Sequence, residues 1–329
     1  MEIDMSTLAQ IKSRMRLPLI GSPLFIVSYP KLVAAQCKAG IIGAFPALNA
    51  RPESVLKDWI EYLQEDLAKW DRDNPDRPSA PFAVNQIVHR SNTRLDHDLG
   101  VCVDYKVPIV ISSLGARPEV NATIHGYGGL VLHDVINNRF ARKAIDKGAD
   151  GLIAVAAGAG GHAGTQSPFA LMQEIREWFD GPVALSGAIA NGRSLLAAQA
   201  LGADFGYAGT LFIATDEANA APAYKDAIVA HSAEDIVYSN YFTGVHGNYL
   251  RPSIEAAGID AAVLQSGDPE KMKVLQHRAT GTNKAWKDIW GCGQGIGILH
   301  DVPTVAQVVD RLSREYTAAR DTLRTVAAG

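Results

Sequence analysis

The amino-acid sequence predicts a TIM barrel, an eight-stranded (β/α)8 structure, with a C-terminal helical extension or small second domain over the barrel mouth. Eight mostly apolar runs recur between residues 17 and 213, and helix-like segments lie between several of them. These runs are nearly continuous rather than alternating, which is typical of parallel strands that are covered on both faces. Eight β/α units in roughly 200–250 residues are the expected content of such a barrel.

Composition and charge place the chain among ordinary globular proteins. Its 329 residues are 47% hydrophobic and 20% charged, and the net charge is −4. This length is ample for a large core, and the charge gives no basic field of the kind that binds nucleic acid. We expect no membrane span, because no run of eighteen apolar residues occurs. The first twenty residues do not resemble a secretory signal.

The three cysteines are far apart in the sequence and form no CxxC pair. Neither a zinc site nor a disulfide framework is therefore predicted. A reducing cytoplasm is the expected location.

The strand candidates and the segments between them follow one another in a regular order. Helical segments follow the first, second, fifth and seventh candidates, at 29–40, 51–73, 138–150 and 191–204, and Asn191 is a plausible N-cap. A doubly wound open sheet would also alternate in this way, but the first turn lacks its G-x-G-x-x-G fingerprint. The strand candidates are 17–25, 40–47, 81–88, 107–114, 129–136, 151–158, 182–189 and 204–213.

More than a hundred residues remain after the eighth strand candidate. We assign 1–215 and 293–329 to the barrel, and 216–292 to a mainly helical extension that covers the substrate. Within the extension, 237–253 is rich in aromatic residues and glycine and reads as irregular. The last segment, 304–328, has apolar residues at helical spacing, so it is predicted to pack on the barrel.

Two consecutive strand ends point to a phosphate group. Active sites of these barrels lie at the carboxyl ends of the strands, and the loops after strands seven and eight commonly bind phosphate. Here the two ends read Ser186-Gly187-Ala188 and Gly209-Thr210. Tight helix–strand packing also selects small residues, but the occurrence of two such ends in succession favours phosphate binding through backbone N–H groups.

His162 is the candidate catalytic residue. It is the one ionisable residue of the loop "AAGAGGHAGTQSP", which follows the sixth strand candidate and carries little side-chain bulk. An imidazole with an ordinary pKa near 6.5 can act as a general base or acid at neutral pH. His133 at the fifth strand end is the rival, as a second ligand contact or a structural partner of Asp134. A metal site formed by both histidines is disfavoured, because no further ligand clearly completes it.

The order of three motifs resembles one family. "GGHAG", then "PVALSGAIANGRSLLAAQALGADFGYAGTLFIAT" and then "GQGIG" resemble the nitronate monooxygenase family, also called 2-nitropropane dioxygenase-like proteins. That family consists of FMN-dependent TIM barrels, and FMN-type enoyl-acyl carrier protein reductases are its relatives. The resemblance runs from the first strand candidate to "FIAT", resumes at "GQGIG" and is strongest over 129–215.

The resemblance also implies roles for individual residues. It makes His162 the catalytic base near the flavin, whereas the family's usual lysine at the fifth strand end is here His133, which would only partly replace it. It places the FMN phosphate on the two small-residue strand ends. The cofactor-binding residues it implies are Gly21, Ser22, Pro23, Asn85, His133, Gly160, Gly161, Ser186, Gly187, Ala188, Gly209, Thr210 and Gln294.

Four aromatic residues of the extension have two interpretations that the sequence leaves equal. They either wall a substrate pocket above the flavin or pack inside the extension. They are Tyr238, Tyr241, Phe242 and Tyr249.

The expected activity is FMN-dependent oxidation of a small nitronate or nitroalkane by molecular oxygen, with no metal ion. An NAD(P)H-dependent quinone or enoyl-thioester reductase of the same barrel family is the alternative. A flavin-free lyase or isomerase that binds a sugar phosphate is a more distant one. The sequence does not determine the physiological substrate or the redox partner. It also leaves open whether the protein forms a homodimer through the extension.

Overall fold

A closed barrel of eight parallel strands forms the centre of the protein. The computed structural model describes residues 5–266 and 287–327. The barrel strands are β1 Leu19–Gly21, β2 Gly43–Pro46, β3 Phe82–Ile87, β4 Ile109–Ser113, β5 Leu130–Val135, β6 Gly151–Val155, β8 Val183–Ser186 and β9 Phe205–Ala208. They pair in the order β1-β9-β8-β6-β5-β4-β3-β2. Backbone bonds of Ile42 to Leu19 and Gly21, 3.1 and 2.8 Å long, join the two end strands.

Helices connect the strands and cover the barrel. They are α1 Met5–Ser13, α2 Pro30–Lys38, α3 Val55–Asp73, α4 Leu95–Asp104, α5 Pro118–His125, α6 Asn138–Asp146, α7 Pro168–Arg176, α8 Gly192–Ala200, α9 Thr210–Ile213, α10 Pro222–Ala230, α11 Arg251–Ala256, α12 Ala261–Ser266 and α13 Val305–Ala327. In the described ranges, none of these helices is long and apolar enough to cross a membrane.

The TIM-barrel prediction is confirmed, since each of the eight strand candidates contains one barrel strand. Asn191 caps α8 as expected, and its side chain accepts a 2.8 Å hydrogen bond from the backbone N–H of Ser194. No helix was predicted at α1, α4, α5, α7 or α9.

The side chains of each strand alternate between the inside and the outside of the barrel. Apolar residues such as Ile20, Ile111 and Ile153 fill the interior, while their neighbours pack against the surrounding helices. Leu8 and Ile11 of α1 belong to the interior cluster. Helix α1 therefore plugs the amino-terminal end of the barrel, and the carboxyl ends of the strands form the open mouth.

The extension contains a β-hairpin as well as helices. Its strands, β10 Ile236–Ser239 and β11 Gly247–Leu250, pair antiparallel, and β11 also pairs with the two-residue strand β7 Gly161–His162. The segment 237–253, which was predicted to be irregular, is thus largely this hairpin. The sequence could not show it, because β11 is stabilised by pairing with a loop some 85 positions earlier. The boundary between barrel and extension at residues 215 and 216 stays a prediction.

Candidate active site

Three polar side chains form a row on the inner face of the barrel at its mouth. The Asn85 Nδ2 atom donates to Ser113 Oγ at 2.7 Å, and Ser113 Oγ donates to Asp134 Oδ2 at 2.5 Å. They extend from the carboxyl ends of β3, β4 and β5, where the two-residue period turns each of them inward. Burial raises the pKa of the Asp134 carboxyl to about 6, although the hydrogen bonds from Ser113 and the Leu114 backbone oppose the rise.

His133 does not reach the mouth, which corrects the expectation that it faces the cofactor. Its side chain is 1% exposed and lies outside β5, where Nε2 is 3.0 Å from Oδ1 of Asn121 on α5. Burial lowers its pKa to about 4, so the ring is neutral at pH 7 and does not supply the cation of the family's lysine. Counting alternate positions from Leu130 and Leu132 would have assigned the inward position to Asp134.

The loops after β8 and β9 form a cradle of backbone groups beside the mouth. Gly187 has φ +137° and Ala188 has φ +54°. A non-glycine residue with such a φ is uncommon and persists where its surroundings enforce it. A Cβ added to Gly209 would lie 2.5 Å from Ser22 Oγ, so the loops after β1 and β9 touch. The structure thus brings together the predicted phosphate residues and the loop that starts at Gly21.

Residues 292–295 close this cradle from the extension side. The Gly293 N–H donates to Thr210 Oγ1 at 2.9 Å, and the Gln294 N–H donates to the Gly158 carbonyl at 2.9 Å. A Cβ on Gly160 would lie only 2.7 Å from the Gly293 nitrogen. The absence of a side chain at Gly160 is therefore required by contact with the protein's own backbone. The resemblance to the family implied instead that Gly160 binds the cofactor.

The hairpin of the extension holds His162 at the mouth. Gly247 and Asn248 of β11 pair with His162 and Gly161 of β7. The Asn248 side chain donates to the carbonyl of Ala159 at 2.6 Å. The loop that carries the candidate base is therefore a strand of a small sheet and not a loose connector.

His162 contacts Thr243, and the sequence did not predict this contact. Nε2 of His162 lies 2.9 Å from Oγ1 of Thr243, which belongs to the hairpin tip. Burial lowers the pKa of His162 below its ordinary value, which favours the neutral imidazole that can accept a proton. No sequence signal links two residues that are 81 positions apart.

The four aromatic residues of the hairpin divide between the two interpretations. Tyr249 is fully buried, and its ring meets that of Phe242 at 4.9 Å, while Phe242 meets Tyr241 at 5.3 Å. These three therefore pack in the core of the extension. Tyr238 instead donates to the carbonyl of Ala163 at 2.9 Å, next to His162, and is the one that remains beside the mouth.

A separate cavity of about 520 Å³ lies between the β1–α2 loop and the extension. Ile26, Tyr224, Ser253 and Trp290 are among the residues that line it. None of the predicted site residues lies in its wall, so we do not include it in the candidate active site.

Comparison with known proteins agrees with this architecture. A sequence model described as nitronate monooxygenase matches residues 45–315. Nitronate monooxygenase of Paraburkholderia phytofirmans is 25% identical, with 94% of this chain and 95% of that protein covered. The (3aS,4S,5R,7aS)-5-hydroxy-7a-methyl-1-oxo-octahydro-1H-indene-4-carboxyl-CoA dehydrogenase of Rhodococcus jostii is 22% identical, with 94% and 96% covered.

A solved structure is similar over nearly the whole chain. FabK of Thermotoga maritima superposes with a TM-score of 0.78 at 25% identity, covering 97% of this chain and 98% of its own. The family match spans far more than half of the sequence and includes His162 and both loops of the cradle. The chain belongs to the nitronate monooxygenase family.

Proposed function

We propose that this protein is an FMN-dependent oxidoreductase that oxidises small nitronates or nitroalkanes with molecular oxygen, and that His162 is its general base. The observation that carries the proposal is the position of a half-buried histidine, His162, which strand pairing fixes at a barrel mouth that adjoins a backbone cradle. Membership of the nitronate monooxygenase family supports the same reaction.

The cradle suits the phosphate of FMN. The loop after β8 turns at Gly187 and Ala188, which both have positive φ, and backbone N–H groups in turns can form concavities that bind anions. Ser186 and Thr210 add hydroxyl groups at the same strand ends. When bound, FMN would accept two electrons from the substrate and deliver them to oxygen.

His162 would act on substrates that arrive as neutral nitroalkanes. It takes the proton from the carbon next to the nitro group, and the electron pair of that C–H bond moves onto the nitro group to give the nitronate. A substrate that is already a nitronate has lost this proton and needs no base. The two substrate forms therefore distinguish a base from a residue that only binds.

The test compares both substrate forms in the purified protein and its variants. The absorbance spectrum first establishes whether flavin is bound, and a protein without flavin would contradict the proposal. We expect His162→Ala to keep its flavin and its nitronate turnover but to lose nitroalkane turnover. His231→Ala is the matched control, because that ring contacts the Ala227 carbonyl at the end of α10. Normal nitroalkane turnover by His162→Ala would refute the role of the base.

A reductase that uses NAD(P)H is the second candidate. The relative from Rhodococcus jostii is named as a dehydrogenase of a carboxyl-CoA compound, so a thioester substrate belongs to the chemistry of similar proteins. Anaerobic mixing separates the two candidates. Rapid flavin reduction by NADH or NADPH would favour the reductase, whereas reduction by nitronate alone would favour the monooxygenase.

A further inference from the structure

The Asp134 carboxyl is an ionisable group of the barrel mouth to which neither the motifs nor the proposed base mechanism assigns a role. It projects from β5 into the mouth, and Oδ2 accepts the 2.5 Å hydrogen bond of Ser113, which is itself held by Asn85. We propose that Asp134 is the acidic residue over which the flavin ring binds, and that it controls flavin reduction by taking up one proton. This inference rests on the proposed FMN binding.

The order of the strands places the row Asn85–Ser113–Asp134 on the part of the ring that faces the cradle across the mouth. Eight strands about 4.8 Å apart and tilted by about 36° form a ring roughly 15 Å across. The cradle follows β8 and β9, and the row Asn85–Ser113–Asp134 lies on β3, β4 and β5. In the ring, β3 and β4 lie opposite β8 and β9, and β5, which carries Asp134, is two strands from β8. A flat cofactor anchored by its phosphate at the cradle therefore extends across the mouth towards this row.

The surroundings of Asp134 leave its charge weakly compensated. Its hydrogen-bond donors are the Ser113 hydroxyl and the backbone of Leu114, both neutral. The titratable group that faces it from β9 is Tyr207, and burial together with Asp134 raises the pKa of that phenol well above its ordinary value. His133, its neighbour on β5, points outward to Asn121. A second negative charge bound in the mouth next to Asp134 would therefore be repelled by its carboxylate with little screening.

Reduction would supply that second charge. Two electrons from the substrate and one proton leave the flavin ring with one negative charge, and like charges in proximity favour protonation of one partner. A proton from solvent then binds to the Asp134 carboxylate, which becomes a neutral acid. Oxidation releases the same proton, so the cycle balances.

The expected effect depends on pH in a defined direction. Well below pH 6 the carboxyl of the oxidised protein is already neutral, so it does not oppose the added electrons. Above that pH it is a carboxylate, which disfavours reduction. Asp134→Asn mimics the neutral form at every pH. We therefore expect equal flavin potentials for both proteins at pH 5, and a higher potential for the variant at pH 8.

The measurement is a spectroscopic titration of the flavin with a chemical reductant and a reference dye, which requires no turnover. We expect Asp134→Asn to favour reduction at least tenfold at pH 8, which is about 30 mV for a two-electron couple. The exposed residue Asp146 provides the control Asp146→Asn, which should leave the potential unchanged. A potential that is identical in Asp134→Asn and wild type from pH 5 to pH 8 would overturn the inference.

A second variant keeps the inference testable if Asp134→Asn does not retain flavin. The hydrogen bond from Ser113 favours the charged carboxylate, so Ser113→Ala should raise the pKa of Asp134. A plot of flavin potential against pH should then change its slope at a higher pH than in the wild type. If the potential of Ser113→Ala depends on pH in the same way as that of the wild type, the result would also contradict the proposed role of Asp134. Failure of the wild-type protein to bind FMN would instead contradict the proposed function. Normal FMN binding with no effect of either variant contradicts the role of Asp134 alone.

Discussion

Replacing Thr243 by valine should lower the pKa of His162 and weaken it as a base. The Thr243 hydroxyl donates to the Val245 carbonyl at 3.1 Å. A hydroxyl has one proton to donate, so its oxygen is left to accept the N–H of His162 Nε2 at 2.9 Å. Valine keeps the branched shape of threonine and removes this acceptor.

The size of the shift follows from the two charge states of the ring. A hydrogen bond from a neutral N–H contributes about 1 kcal/mol, and one from a charged donor about twice as much. Loss of the acceptor therefore penalises the imidazolium by about 1 kcal/mol more than the imidazole. Since 1.36 kcal/mol corresponds to one pKa unit, the pKa of His162 should fall by about 0.7 unit. Burial already lowers it, so both effects act in the same direction.

NMR titration of protein with labelled histidine measures this pKa directly. In kinetics, the acid limb of the pH profile for a neutral nitroalkane should move to lower pH by the same amount, and the plateau rate should fall because the base is weaker. Thr243→Ser keeps the oxygen and should restore both values. Equal pKa values in wild type and Thr243→Val would refute the reasoning, as would equal shifts in the serine and valine variants.

Three further predictions concern stability and thiol reactivity. Gly160→Ala should reduce the free energy of unfolding by about 1–3 kcal/mol, because its Cβ would lie 2.7 Å from the Gly293 nitrogen. Gly100→Ala in α4 is the control in the same denaturant titrations, because no atom lies within 4 Å of its added Cβ, and it should raise the free energy of unfolding by about 0.5–1 kcal/mol. Equal destabilisation by Gly160→Ala and Gly100→Ala would contradict the clash at Gly160. Asn191→Ala should raise the rate of thermal unfolding and cost about 1 kcal/mol, because it removes the cap of α8; an unchanged melting temperature would argue against the cap. The three cysteines are buried, and burial raises the pKa of Cys37 and Cys102 to about 12. A thiol reagent at pH 8 should therefore label the cysteines only after the protein unfolds. Fast labelling of the native protein would disprove this prediction.

The barrel itself was predictable because its signals are local. Each parallel strand is covered on both faces, which requires a short apolar run, and each run is visible within eight to ten residues. The capping role of Asn191 is equally local, since it depends on the N–H of Ser194 three positions later. The hairpin β10–β11 was missed for the opposite reason, because the partner that stabilises β11 is the loop of His162.

The site was predictable only in part, and two neighbouring residues of β5, His133 and Asp134, show why. His162 attracted notice because it is the one ionisable side chain in a loop with little bulk. His133 was assigned to the mouth by its place at a strand end. A strand turns successive side chains to opposite faces, so the adjacent residue, Asp134, lies inside the barrel and His133 contacts Asn121 outside it.

By itself the sequence determined the eight strands of the barrel, because short-range periodicity encodes them, and it predicted the cradle residues at two strand ends and the candidate base. Only the tertiary structure decided which face of β5 carries Asp134, that Gly160 makes room for the backbone of Cys292 and Gly293, and that Thr243 contacts the candidate base. These contacts join residues that are between about 20 and 130 positions apart. Closure of the barrel and docking of the hairpin create them, and no local pattern of residues records such distances.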